Sequence, residues 1–176
     1  FSSKRNGGFG GYDLYASFRL NKKWSKPKNL GPQINTPYDE VTPFISKDGL
    51  HLYYSSNNKN SIGGYDIFKS IYNVETNSWS EAENLRIGIN SAGNDTHYRL
   101  AADGQSSYFC SDRKTGIGKY DLYIAYLKEQ ELSQLGYRPL LPFLTNDALI
   151  RSMAEQEGIT NEVNTTGAMA TEAAIN

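Results

Sequence analysis

The sequence predicts an all-β chain made of repeated four-stranded antiparallel units. Three observations point that way. The motif Gly10-Gly11-Tyr12-Asp13-Leu14-Tyr15 returns as Gly63-Gly64-Tyr65-Asp66-Ile67-Phe68 and again, with one glycine replaced, as Gly118-Lys119-Tyr120-Asp121-Leu122-Tyr123. Around it, Trp24-Ser25 recurs as Trp79-Ser80, Asn29-Leu30 as Asn84-Leu85, Ile34-Asn35-Thr36 as Ile89-Asn90-Ser91, and Asp48-Gly49 as Asp103-Gly104, each pair 55 positions apart. Finally, 13 tyrosines stand beside 16 glycines, a mixture that suits short strands joined by tight turns rather than helices.

Within one unit four strands are expected. Tyr12 to Phe18 alternates, with Tyr12, Leu14, Ala16 and Phe18 on one side and Asp13, Tyr15 and Ser17 on the other. A hairpin leads to a second strand around Trp24, ended by Pro27. Asn29 to Tyr38 is rich in Gly, Pro and Asn and reads as an irregular connection. Val41 to Ser46 is the third strand. Lys47-Asp48-Gly49 then makes a turn in which Asp-Gly supplies the positive φ of a two-residue hairpin, and Leu50 to Ser55 is the fourth strand. The second copy is two residues longer, within Asn73 to Ser78 against Asn21-Lys22-Lys23, and a hairpin tip absorbs such an insertion easily. Tyr12, Trp24, Phe44 and Tyr54 are expected to pack between units.

Four short antiparallel strands at this period are the pattern of a propeller blade, which buries its faces only against neighbouring blades. The expected architecture is therefore a partial β-propeller over residues 1–128. A C-terminal tail over 129–176 follows, irregular except for one short helix from Thr145 or Asn146 to Glu157. Two units and a fragment fall short of the roughly four to eight blades that close a ring. The chain also begins at Phe1 rather than Met. Both features predict a segment of a longer protein, or a surface completed by another chain.

The chemistry looked for is mostly missing. A net charge of -1 argues against a nucleic-acid partner, and no apolar run is long enough for a membrane span. The single Cys110 excludes an internal disulfide and reads as a buried, inert thiol. Asp13, Asp66 and Asp121 invite a calcium reading, with Asn57, Asn58 and Asp112 as further oxygens. A carboxylate repeated in every unit is more economically an acceptor for turn N–H groups. The glycine-rich Gly7 to Gly11 leads into a strand and lacks a Lys-Ser/Thr ending, so it reads as a turn and not a phosphate loop. His51 and His97 read as strand-surface residues. No metal-ligand spacing and no nucleophile motif is present, so no catalytic, cofactor-binding or metal residues are assigned. Lys4, Arg5, Lys59, Arg113 and Lys114 all precede a glycine motif and would gather at one rim. That rim is either a solvated face or a surface for acidic groups or a partner.

Thr42-Pro43-Phe44-Ile45-Ser46-Lys47-Asp48-Gly49-Leu50-His51-Leu52-Tyr53-Tyr54-Ser55-Ser56, followed by Gly63-Gly64-Tyr65-Asp66-Ile67-Phe68, resembles the WD40-like β-propeller repeat called PD40, found in TolB and in many envelope proteins. The flavour with Trp-Ser, Asn-Leu-Gly and Ile-Asn-Thr is similar to propellers that accompany OmpA-like peptidoglycan-binding domains, one of them in the type IX secretion machinery. The likeness covers about residues 1–127. It weakens at His97-Tyr98-Arg99-Leu100, which lacks the Pro-Phe, and at Lys119. The tail carries no OmpA-like signature. The resemblance implies a non-catalytic scaffold of the periplasm or outer membrane. Its partners would be envelope proteins or further blades. Two alternatives stay open: a module binding glycan or peptidoglycan, and an accessory propeller of an envelope hydrolase.

Overall fold

The computed structural model describes residues 1–102 and 104–126. Asp103 and the expected tail with its helix lie outside the described residues. Thirteen strands follow one another: β1 Ser2–Ser3, β2 Asp13–Ala16, β3 Arg19–Leu20, β4 Lys23–Trp24, β5 Lys28–Asn29, β6 Glu40–Ile45, β7 His51–Ser56, β8 Asp66–Asn73, β9 Ser78–Trp79, β10 Glu83–Asn84, β11 Asp95–Leu100, β12 Ser106–Ser111 and β13 Asp121–Tyr126. The described part is all-β, every named strand pair is antiparallel, and no sheet closes on itself.

The strands form a first sheet β1-β2-β5, a middle sheet β6-β7-β8-β10 with β9 also on β8, a third sheet β11-β12-β13, and a two-stranded ribbon β3-β4. The expected unit is therefore cut in the wrong place. The third and fourth strands of one sequence copy pair with the first and second strands of the next. Pairing runs from His51↔Ile71 to Ser56↔Asp66 across the glycine motif, while the connection from Leu30 to Asp39 carries the chain to another sheet. The reason is the irregular connection itself: its polar, proline-containing backbone moves between sheets, whereas the loop before the glycine motif returns the chain to the neighbouring strand.

Three local expectations are also corrected. The second strand is split: β9 and β10 both lie along β8, separated by a bulge where the Ser80 hydroxyl accepts from Ile71 N–H at 3.0 Å. Asn29, expected in the connection, belongs to β5 and pairs with Tyr15. The Asp-Gly turn spans four residues between Ser46 and His51, because the Asp48 carboxylate takes the Ser46 hydroxyl and the Leu50 N–H and holds the loop wider. Only Gly49 there has positive φ, at 74°. The two-residue turn sits instead at Asn21-Lys22, both at positive φ, and its second copy is a four-residue loop before Ser78. The length slip was thus correctly placed at a hairpin tip.

The middle sheet is buried on both faces. Leu52, Tyr54 and Phe68 pack with Leu14 and Ile34 on the first-sheet side. Tyr53 and Ile67 pack with Tyr98 and Phe109 on the third-sheet side. Strand alternation sends neighbours to opposite sides, so the continuous aromatic run of β7 serves two cores at once. Of the aromatics expected between units, Tyr54 is buried and Trp79 packs at the rim of the first core. Trp24 is 68% exposed and Tyr12 39%, which corrects their assignment. Trp24 sits on the ribbon β3-β4, which among the described residues pairs with no other sheet.

Candidate functional site

The repeated Asp residues close the corner that leads into each strand. Asp13 accepts from Phe9 N–H at 2.7 Å and from the Asn29 amide at 2.7 Å. Asp66 accepts from Ile62 N–H and the Asn84 amide, and Asp121 from Ile117 N–H. Asn57 and Asn58 serve other loops, receiving Asp39 N–H and Asn60 N–H. Asp112 receives the N–H and amide of Asn94. Among the described residues no three His, Cys, Asp or Glu side chains converge as metal ligands would.

The glycines of the motif mark where one sheet's connection crosses another. A Cβ on Gly10 would collide with the backbone of Thr36, Pro37 and Tyr38, and one on Gly63 with that of Ser91, Ala92 and Gly93. Gly11 and Gly64 donate to Tyr38 and Gly93 carbonyls at 2.9 and 2.8 Å. At Gly118 the nearest group to a Cβ is Asp121, at 3.6 Å, and the second glycine is Lys119. The worn third motif therefore coincides with a place where no described connection crosses.

A buried amide repeats beside these corners. The Asn35 Oδ1 accepts from Leu14 N–H and its Nδ2 donates to Leu14 C=O. Asn90 does the same for Ile67. Each fixes a strand start that lies against the next sheet.

The expected basic rim is not one free surface. Lys4 lies over the Tyr12 ring at 4.5 Å, and Lys114 is exposed. Lys59 borders a cleft of about 570 Å³ with Tyr38, Tyr54, Phe68 and Ala82. Arg113 is taken up within the third sheet: it donates to Asp95 at 2.7 Å and to Ile89 C=O at 2.5 Å, and lies over the Phe109 and Tyr123 rings. Arg5 lies over Phe1 and Tyr15 in the same manner but is exposed. His51, read as a surface residue, is buried and paired through Nδ1 with Asp48 at 2.8 Å. Burial pushes the Asp48 carboxyl up, but hydrogen bonds from His51, Ser46 and Leu50 outweigh it and hold it well below the usual carboxylate range.

The most informative surface is one that residue-by-residue reading missed. Tyr53 and Ile67 of the middle sheet are 3% and 0% exposed under the third sheet. Their counterparts 55 positions on, Tyr108 and Leu122, are 38% and 68% exposed. Ile124 and Tyr126 extend the same face, at 50% and 79%. Cys110 belongs to it too, half-buried where its counterpart Ser55 is fully buried, so the expected burial of the thiol is corrected. Among the described residues nothing covers this face. The signal was available: β13 still alternates with an apolar outer row after the repeat stops.

No family model matches the chain, and no curated protein matches it. Among the described residues no helix is long and apolar enough to cross a membrane.

Proposed function

We propose that this chain is a non-catalytic, partner-binding segment of a β-propeller in a bacterial cell-envelope assembly. Its binding surface is the outer face of the third sheet. The observation that carries the reading is the exposure of Tyr108, Leu122 and Ile124 where the equivalent middle-sheet residues are covered by a neighbouring sheet. Burying one such side chain stabilises by about 1.5–3 kcal/mol, so a face of this kind favours association. Three successive sheets packed face to face support the propeller geometry. The envelope setting, and a relation to type IX secretion, rest on the PD40 resemblance of residues 42–68.

Light scattering and a hydrophobic dye test the reading. The protein is expected to self-associate or bind dye, and the Leu122→Lys, Ile124→Lys double variant to lose both with an unchanged circular dichroism spectrum. A monomeric parent that binds no dye would refute it. One observation favours a second reading. Trp24, 68% exposed on its separate ribbon, offers a flat aromatic surface to a sugar ring. A glycan-array signal that Trp24→Ala abolishes would establish that role.

A further inference from the structure

We propose that the lysine-bearing outer margin of the first sheet binds the glutamate-bearing outer margin of the middle sheet in a second copy of this chain, so that copies associate head to tail. The inference goes beyond the partner-binding reading above, because it concerns a different surface and uses neither Leu122 nor Ile124.

One element carries opposite charge in its two copies. From β3 through β5 the chain bears Arg19, Lys22, Lys23, Lys26 and Lys28, and no acid stands between Asp13 and Asp39. From the end of β8 to β10 it bears Glu75, Glu81 and Glu83, and no cation stands between Lys69 and Arg86. The reversal falls on equivalent positions: Lys26 answers to Glu81 and Lys28 to Glu83, each 55 residues on. The local build is otherwise shared. Trp-Ser precedes both pairs of charges, and the second charge of each opens a two-residue strand, Lys28–Asn29 or Glu83–Asn84, at the margin of its sheet.

Both margins face solvent. Lys22, Lys23 and Lys26 are exposed and Lys28 is half-buried, while Glu75, Glu81 and Glu83 are all exposed. The middle sheet has a described sheet packed on each face, yet its Ser78, Glu81 and Glu83 remain exposed. Their equivalents Lys23, Lys26 and Lys28 therefore lie on the outside of the stack whatever flanks the first sheet. Arg19 and Trp24 are left out of the contact, because their counterparts Tyr72 and Trp79 pack inward. Lys69 pairs with Glu83 across the ladder of β8 and β10 but is itself buried, so what this margin shows to solvent is acidic.

The charges select the partner. A lysine ammonium is a point charge that needs no fixed angle of approach, and lysines two positions apart meet glutamates two positions apart. Margins running in the same direction set Lys26 against Glu81 and Lys28 against Glu83, with Lys22 and Lys23 toward Glu75 at the hairpin tip. Pro27 has no N–H, so side chains rather than an added backbone ladder make the contact. An exposed ion pair contributes little alone, so the association is weak, salt-sensitive and decided by the whole set. The two margins differ, so the contact is heterologous: a bound pair still presents one free margin of each kind, and growth continues beyond a dimer.

The test is sedimentation of the whole protein at about 0.05 M and about 0.5 M salt, between which the screening length shortens about threefold. Association of the parent is expected to weaken by about tenfold or more in Kd at the higher salt. Two variants then separate the margins: Lys26→Glu, Lys28→Glu makes both acidic, and Glu81→Lys, Glu83→Lys makes both basic. Neither should show salt-sensitive association alone, and an equimolar mixture of the two should regain it. Lys114→Glu, Lys119→Glu has the same net charge as the first variant, with its changes outside the margins, and should associate as the parent does. A parent without salt-sensitive association, a margin variant that keeps it alone, a mixture that does not regain it, or its loss in Lys114→Glu, Lys119→Glu would overturn the proposal. The response of the parent to salt involves no substitution, so the proposal can fail even where a variant does not fold. Association through Leu122 and Ile124 is apolar and persists at high salt, so failure of that reading and failure of this one are distinguishable.

Discussion

Tyr98 of the third sheet stacks on Tyr53 of the middle sheet, with ring centroids 4.7 Å apart and planes 28° from parallel. Both rings are 3% exposed. Among the described residues the two sheets share no ladder, so they are held by this packing together with corner hydrogen bonds such as Asp95 N–H to Tyr65 C=O at 2.6 Å. Tyr98→Ala should lower unfolding stability by about 3–5 kcal/mol, as large-to-small changes of buried aromatics do. Tyr108→Ala, on the exposed face, should cost under about 1 kcal/mol. Chemical denaturation midpoints compare the two.

The glycine corners predict a sharp asymmetry. Gly63→Ala places a Cβ against backbone atoms of Ser91, Ala92 and Gly93, which cannot rotate away, and should cost more than about 2 kcal/mol. Gly118→Ala meets nothing closer than 3.6 Å and should change the melting temperature little. Equal effects would mean that the crossing connection does not select the glycine.

Asn90 holds both backbone groups of Ile67 in a site closed to water. Asn90→Ala leaves the Ile67 N–H without its partner, at about 1–3 kcal/mol, while the Ile67 C=O keeps the Leu85 N–H at 3.0 Å. The loss should appear first as faster amide exchange at Ile67, measured by hydrogen exchange.

Asp48 gives the fold an acid-sensitive element. Its carboxyl is held below its ordinary value, so between that lowered value and about pH 4 the unfolded chain binds the proton that the folded chain releases. The stabilisation is present above about pH 4 and is lost as pH falls below it. Burial pushes Glu40 the other way, against the hydrogen bonds of Thr36 and Ser56, and its contribution has the opposite sign. Asp48→Asn should therefore flatten the acid limb of a melting-temperature profile without altering the slope that Glu40 imposes.

Much of the strand pattern was legible because it is local. The alternation around Leu14, Leu52 and Ile67, the turn residues and the two-residue slip at Asn73 to Ser78 all act within a few positions of themselves. The structural use of Asp13, Asp66 and Asp121 was legible for the same reason: each accepts from N–H groups three or four residues away. His51 was misread because its burial depends on how the sheet packs and not on its own polarity, and Arg113 because its acid, Asp95, lies on another strand. Trp24 and Trp79 share a motif, yet only Trp79 packs against a core, since only β9 continues the edge of a larger sheet.

By itself the sequence determined a repeated all-β chain, where its strands begin, and which residues turn the corners, because φ preferences and side-chain alternation are properties of short segments. Tertiary structure alone decided which strands share a sheet, which aromatic rows are covered, and that Arg113 meets its acid, Asp95. Those outcomes depend on pairing and packing between positions far apart in the chain, and a repeat that looks uniform in sequence becomes unequal once some copies have neighbours and others do not.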